Sequence, residues 1–183
     1  VRMGKDLEDM VLAKAAASLG RPVTKAKEMF RMVKYPYLTM NLDGVTNIPG
    51  VAVVDPLVQT MWIPVEAKVV TTFGDKYYDW EKASRVFHDE PAFEGKANDA
   101  TSRQVYIDHM ASLVGIPPYY YVQVQHEMLG MGVKCGYLAA LRIKDWQLHI
   151  FAVTDNPTIQ SWIITEGFAV WSRIEKLRAM SKG

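Results

Sequence analysis

Residues 61–70 read Met, Trp, Ile, Pro, Val, Glu, Ala, Lys, Val, Val, an apolar, β-branched run interrupted by two charges, Glu66 and Lys68. The composition is that of a β-strand. Side chains alternate across a strand, so Glu66 and Lys68 leave one face while Val65, Ala67 and Val69 fill the other. Two charges on such a strand are costly to bury unless they pair or hold an ion. The run is therefore either a solvated edge strand with an incidental ion pair or a buried strand whose charges have a task.

The chain has 183 residues, 49% of them apolar and 22% charged, which fits one globular domain spanning 1–183 with a substantial core. Its formal charge of +1 supplies no global field to recruit a polyanion, although residues 1–34 hold eight basic against four acidic side chains and could grip phosphates locally. The single cysteine, Cys135, excludes an internal disulfide framework, a four-thiolate zinc site and a four-cysteine iron-sulfur cluster. No run reaches the roughly 18 apolar residues of a membrane helix, and the start lacks the order of a signal peptide. A reducing, cytoplasmic setting without membrane attachment is expected. The start at Val1 suggests a chain cut from something longer.

Periodicity predicts a helix over 3–19, strands near 28–34 and 38–43, a short strand within 50–56, and the strand over 61–70. Residues 73–100 read as a polar surface excursion with a short helix near 78–88. Pro117 and Pro118 open a helix over 119–131. Strands over 133–143 and 147–153 form a hairpin, and a last helix starts at Pro157 with Asn156 as N-cap. Its apolar stripe of Ile159, Trp162, Phe168, Trp171, Ile174 and Leu177 reads as core or subunit contact. The expected class is α/β, a central mixed sheet flanked by helices. Cys135 reads as a small buried hydrophobe and His126 as a surface or packing histidine.

Asp43 lies 23 residues before Glu66, enough for a neighbouring strand to bring the two carboxylates together. Paired carboxylates suit Mg²⁺, a hard cation that keeps several of its waters. Asp43 with Gly44 also reads as an ordinary turn.

Four blocks then resemble, in order, the YqaJ-like viral recombinase family, that of phage lambda exonuclease, within the PD-(D/E)xK nuclease superfamily. Gly4 to Glu8 is similar to its helical Gly-x-x-x-Glu block, and Tyr35 to Gly44 to its Tyr-Pro…Asp-Gly strand pair. Glu66 to Lys68 resembles its Glu-x-Lys strand, and Pro117 to Met128 its Pro-x-x-Tyr-x-x-Gln-x-Gln helix. The resemblance implies a restriction-endonuclease-like core and a Mg²⁺-dependent exonuclease acting on linear double-stranded DNA, 5′ to 3′, in phage-type recombination, with Mn²⁺ able to replace Mg²⁺. It makes Asp43 and Glu66 the metal ligands, sets Lys68 at the nucleophilic water, and makes Glu8 and Gln123 accessory residues. It also implies double-stranded DNA ends as partner, a homotrimer, a single-strand annealing protein, and a phage or prophage origin. The family segment ahead of the Gly-x-x-x-Glu helix, which helps contact DNA ends, is expected to be missing. The interval from Asp43 to Glu66 and the polar insert over 72–116 are long for the family.

On a helix Gln123 and Gln125 point about 200° apart, so both cannot face one site. Tyr120 and Glu127 share the face of Gln123, which favours Gln123 with Tyr120 beside it as a substrate contact; Gln125 remains a second candidate contact. The alternatives are an inactive DNA-end binding or scaffold module with the nuclease fold, and a PD-(D/E)xK nuclease acting on a different DNA substrate.

Overall fold

The computed structural model describes residues 2–47, 62–85, 92–95 and 99–181, and the strand expected within 50–56 lies outside them. The 61–70 run forms β5 (Trp62–Val70), the centre of a five-stranded sheet. Its neighbour on one side is β4 (Gly44–Asn47), antiparallel, itself edged by β1 (Val23–Lys25). On the other side β6 (Cys135–Arg142) runs parallel to β5 and is followed by its hairpin partner β7 (Gln147–Thr154). The sheet is thus mixed, in the order β1-β4-β5-β6-β7. A separate two-stranded ribbon joins β2 (Met29–Arg31) to β3 (Thr39–Asn41).

Helices cover both faces, and the pleat decides which residue meets which helix. Helix α1 (Arg2–Leu19) lays Val11, Leu12 and Ala15 on Val65 and Ala67 of β5 and on Ala139 and Leu141 of β6. The opposite face carries Leu138 and Ala140, which pair with Glu66 and Lys68 in register. It packs against α2 (Ala100–Val114), α3 (Pro118–Met131) and the start of α4 (Pro157–Met180), around Tyr106, Met128, Phe151 and Trp162. Glu66 and Lys68 therefore point into the α3 side of a strand buried on both faces, and the edge-strand reading falls away. Among the described residues no helix is long and apolar enough to cross a membrane.

Several expectations need correction. Strands β2 and β3 are shorter than 28–34 and 38–43, so Asp43 follows a strand end and immediately precedes β4. Gly44 does not serve a tight turn. It is the first residue of β4, and a Cβ there would stand 2.8 Å from Leu12 Cδ2, so glycine lets α1 lie close to the strand. In place of a helix near 78–88 there are two 3₁₀ turns, Asp75–Tyr77 and Trp80–Lys82, with residues 86–91 outside the described set.

The 72–116 insert is no simple excursion, because it contains α2, whose Tyr106, Met110 and Val114 fill the core at helical spacing. Its end signals were present in the sequence: Asp99 caps the first turn by accepting from Thr101 N and Ser102 N at 3.1 Å, and Gly115, at φ +88°, ends the helix in the left-handed region. Cys135, expected to be buried, is half-buried at the start of β6. The stripe on α4 is buried only at Ile159 and Trp162; Phe168, Trp171, Ile174 and Leu177 lie on the surface of the chain.

Asp99→Ala leaves two amide donors of the first turn of α2 uncapped, and urea unfolding should show a loss of about 1 kcal/mol. An unchanged midpoint would mean that α2 is held by packing alone.

Candidate functional site

The site begins where a ladder ends. Pairing between β4 and β5 stops at Gly44 opposite Val65, leaving the Ala67 N–H beyond it without a strand partner on that side. The Asp43 side chain takes its place: Oδ2 accepts from Ala67 N at 2.9 Å. The Asp43 carbonyl in turn accepts from Ala26 N at 3.2 Å, just past β1. The backbone therefore fixes Asp43 beside the strand residue that follows Glu66.

Glu66 is 1% exposed. Its Oε1 accepts from Gln123 Nε2 at 2.6 Å and pairs with the Lys68 ammonium. Lys68 also lies over the Tyr120 ring, 5.0 Å from its centroid, which adds a cation–π contact on the partly exposed side. Gln123 and Tyr120 come from the first two turns of α3, the face chosen from the sequence, and the structure brings both to Glu66 and Lys68.

A third carboxyl, Glu127, stands one helical turn beyond Gln123 and is 2% exposed. Its Oε1 accepts from the same Gln123 Nε2 at 3.3 Å, and the carboxyl lies within hydrogen-bonding reach of Glu66. No donor among the described residues reaches Glu66 Oε2 or Glu127 Oε2, although both are buried. The sequence reading placed Glu127 on the Gln123 face without giving it a role. An acid on the inward face of an otherwise apolar helix was the available signal.

Three carboxyls facing one lysine leave an excess of negative charge in a desolvated place. Burial, then the Glu66 charge, pushes Asp43 up to about 6, against the opposing Ala67 hydrogen bond and Lys68. Burial, followed by the Glu66 charge, also raises Glu127 well above the usual carboxylic range. The arrangement can be neutralised by protons or by a cation. The buried, unpartnered carboxylate oxygen of Glu66 next to Asp43 is a hard donor of the kind Mg²⁺ takes, so the residues fit such an ion. Among the described residues no three His, Cys, Asp or Glu side chains form a ready metal cage.

Other candidates fall elsewhere. Glu8, on α1, pairs with Lys25 at 2.8 Å and reaches the site only through its charge, which adds to the upward push on Asp43. Gln125 is outside the site. It is fully buried, donates from Nε2 to Thr154 O at 2.7 Å and accepts at Oε1 from Asn156 N at 2.8 Å, tying α3 to the β7–α4 junction. That role replaces the substrate contact expected for it. His126 packs half-buried on another face of α3, beside Tyr37 and Trp171.

No protein-family model matches the chain, and no curated protein matches its sequence. Function is therefore argued from the arrangement of these side chains.

Asp43 and Glu127 bind protons more tightly folded than unfolded, where the ordinary values are 3.8 and 4.5. Their contribution to stability is complete below those values and is lost as pH rises through the folded ones, near 6 for Asp43 and higher for Glu127. In chelator, Glu127→Gln should flatten the fall in Tm between about pH 5 and pH 8 and leave the variant more stable than the parent at the upper end. Parallel profiles would show that Glu127 is ionised in the folded chain.

Proposed function

We propose that this chain is a Mg²⁺-dependent deoxyribonuclease of the PD-(D/E)xK type, hydrolysing phosphodiester bonds at the ends of linear double-stranded DNA. The observation that carries the reading is the meeting of Asp43, just ahead of β4, with Glu66 and Lys68 of β5 at the centre of a mixed sheet, where a buried Glu66 oxygen has no partner but the Glu127 carboxyl. The order of the four sequence blocks supports the same reading and supplies the choice of DNA ends as substrate.

Asp43 and Glu66 would hold the cation. When bound, Mg²⁺ supplies positive charge that stabilises a phosphodiester under attack and makes water a better nucleophile. Lys68, fixed between Glu66 and the Tyr120 ring, supplies an ammonium to orient the attacking water or relay its proton. Gln123 holds Glu66 in place through the 2.6 Å bond and also donates to Glu127, which preserves the orientation of Glu66.

Lys68→Ala should lower Mg²⁺-dependent digestion of linear duplex by about 10²-fold or more, with the circular dichroism spectrum retained. Retained activity would remove Lys68 from the chemistry. Closed circular DNA of the same sequence should resist; its equal digestion would make the enzyme an endonuclease. Independently of turnover, Mg²⁺ at about 100 times its Kd should stabilise the parent by about 2.7 kcal/mol. Asp43→Asn should abolish most of that shift, and a full shift in the variant would place the cation elsewhere.

A further inference from the structure

The Tyr120 ring that carries Lys68 also lines a cavity of about 290 Å³ at the C-terminal end of β5. Its walls are aromatic: Phe73, Tyr77, Tyr78, Tyr119 and Tyr120, closed by Val70 and Pro117. Phe73, Tyr77 and Tyr119 are 76%, 56% and 64% exposed, so three rings stand in solvent around one opening instead of packing in the core. The Tyr119 and Tyr120 rings lie 4.0 Å apart between centroids, and Lys76 Nζ sits 4.8 Å from the Phe73 ring and 5.0 Å from that of Tyr77. Two ammonium groups thus lie against rings of its wall, Lys68 against Tyr120 and Lys76 against Phe73 and Tyr77, and among the described residues no carboxylate lines it.

Aromatic walls between cations match one chemistry in particular, a planar heteroaromatic ring carried on an anionic backbone. Nucleobases stack on tyrosine and phenylalanine irrespective of sequence, while lysines follow the phosphates. The Tyr120 ring forms a wall of the cavity and also carries Lys68, so a base held there belongs to a nucleotide next to the phosphate at Asp43 and Glu66.

We infer that the Phe73, Tyr77, Tyr119 and Tyr120 cavity is a stacking subsite for one unpaired DNA base adjoining the phosphodiester that is cut. The inference rests on the nuclease reading for the identity of the neighbouring phosphate. A base already stacked and paired within a duplex has no free face for the cavity, so the subsite selects a frayed or single-stranded terminal nucleotide. Selection is by shape and π-face, without a preference among the four bases.

The test uses a duplex with a short 5′ or 3′ single-stranded end carrying 2-aminopurine, and the same duplex with an abasic residue in its place, each titrated with the full chain in Ca²⁺ buffer. The parent should quench the 2-aminopurine and bind the abasic end roughly ten-fold more weakly. Tyr77→Ala with Tyr119→Ala should lose the quench and bind both ends alike. Both residues are exposed, so the variant is expected to fold, and Phe73→Ala gives a second, smaller loss of the same kind. Equal affinity of the parent for base-bearing and abasic ends, or no quench at either end, overturns the subsite. Base-dependent binding without Mg²⁺-dependent cleavage supports the subsite and removes the hydrolytic reading; cleavage with no dependence on the base does the reverse.

Discussion

One hydrogen bond determines the character of this site, that from the Ala67 N–H to the Asp43 carboxylate at 2.9 Å. It exists because β4 is too short to pair with β5 beyond Val65, so a main-chain donor at the sheet centre would otherwise be orphaned. The side chain that satisfies it is an acid, and the next residue along β5 in one direction is the buried Glu66. A backbone requirement therefore forces two carboxylates together in a desolvated place. Sheet geometry creates the proximity, and the electrostatics follow from it.

That proximity is expensive, and the surrounding residues can be understood as responses to it. Lys68 returns one positive charge to the same strand face. Gln123 contributes an amide that donates to both Glu66 and Glu127. Burial and the Glu66 charge both oppose ionisation of Glu127. Apart from the Glu127 carboxyl, which lies within hydrogen-bonding reach of Glu66, no donor among the described residues reaches Glu66 Oε2. Apolar residues of similar volume often serve stability as well as such buried charges, and the proposal of a cationic ligand rests on that cost. The aromatic cavity lined by Tyr120 extends the same region from charge toward shape, placing ring surfaces near the carboxyl cluster.

How much of this was legible in the sequence depended on how local its cause was. The β5 strand, the α1 and α3 helices, the β6–β7 hairpin and the Asn156 cap on α4 are set by periodicity and end signals within a few residues, and they appear where those signals put them. The face of α3 that meets Glu66 and Lys68 follows from helical spacing, which favoured Gln123 and Tyr120 over Gln125. Helix α2 was hidden because charged and glycine-rich residues before it gave the whole insert a surface-like composition, although Asp99, Tyr106, Met110, Val114 and Gly115 carry its cap, stripe and stop. Gln125 and Glu127 show the limit of the method. Each is a polar residue on a buried helix, and only tertiary contacts reveal that one ties α3 to the chain before α4 while the other completes the carboxyl cluster. The contact of Asp43 with Ala67 depends on where a ladder stops, which no local pattern records.

The claim that the Asp43 and Glu66 carboxylates exist to hold a divalent cation is tested most directly by anomalous diffraction from crystals soaked in Mn²⁺. The account predicts a single strong peak within coordination distance of both carboxylates, on the Lys68 side of β5. Crystals that bind Mn²⁺ only at other sites, with Glu66 still bound to Gln123 and Lys68 alone, would contradict it.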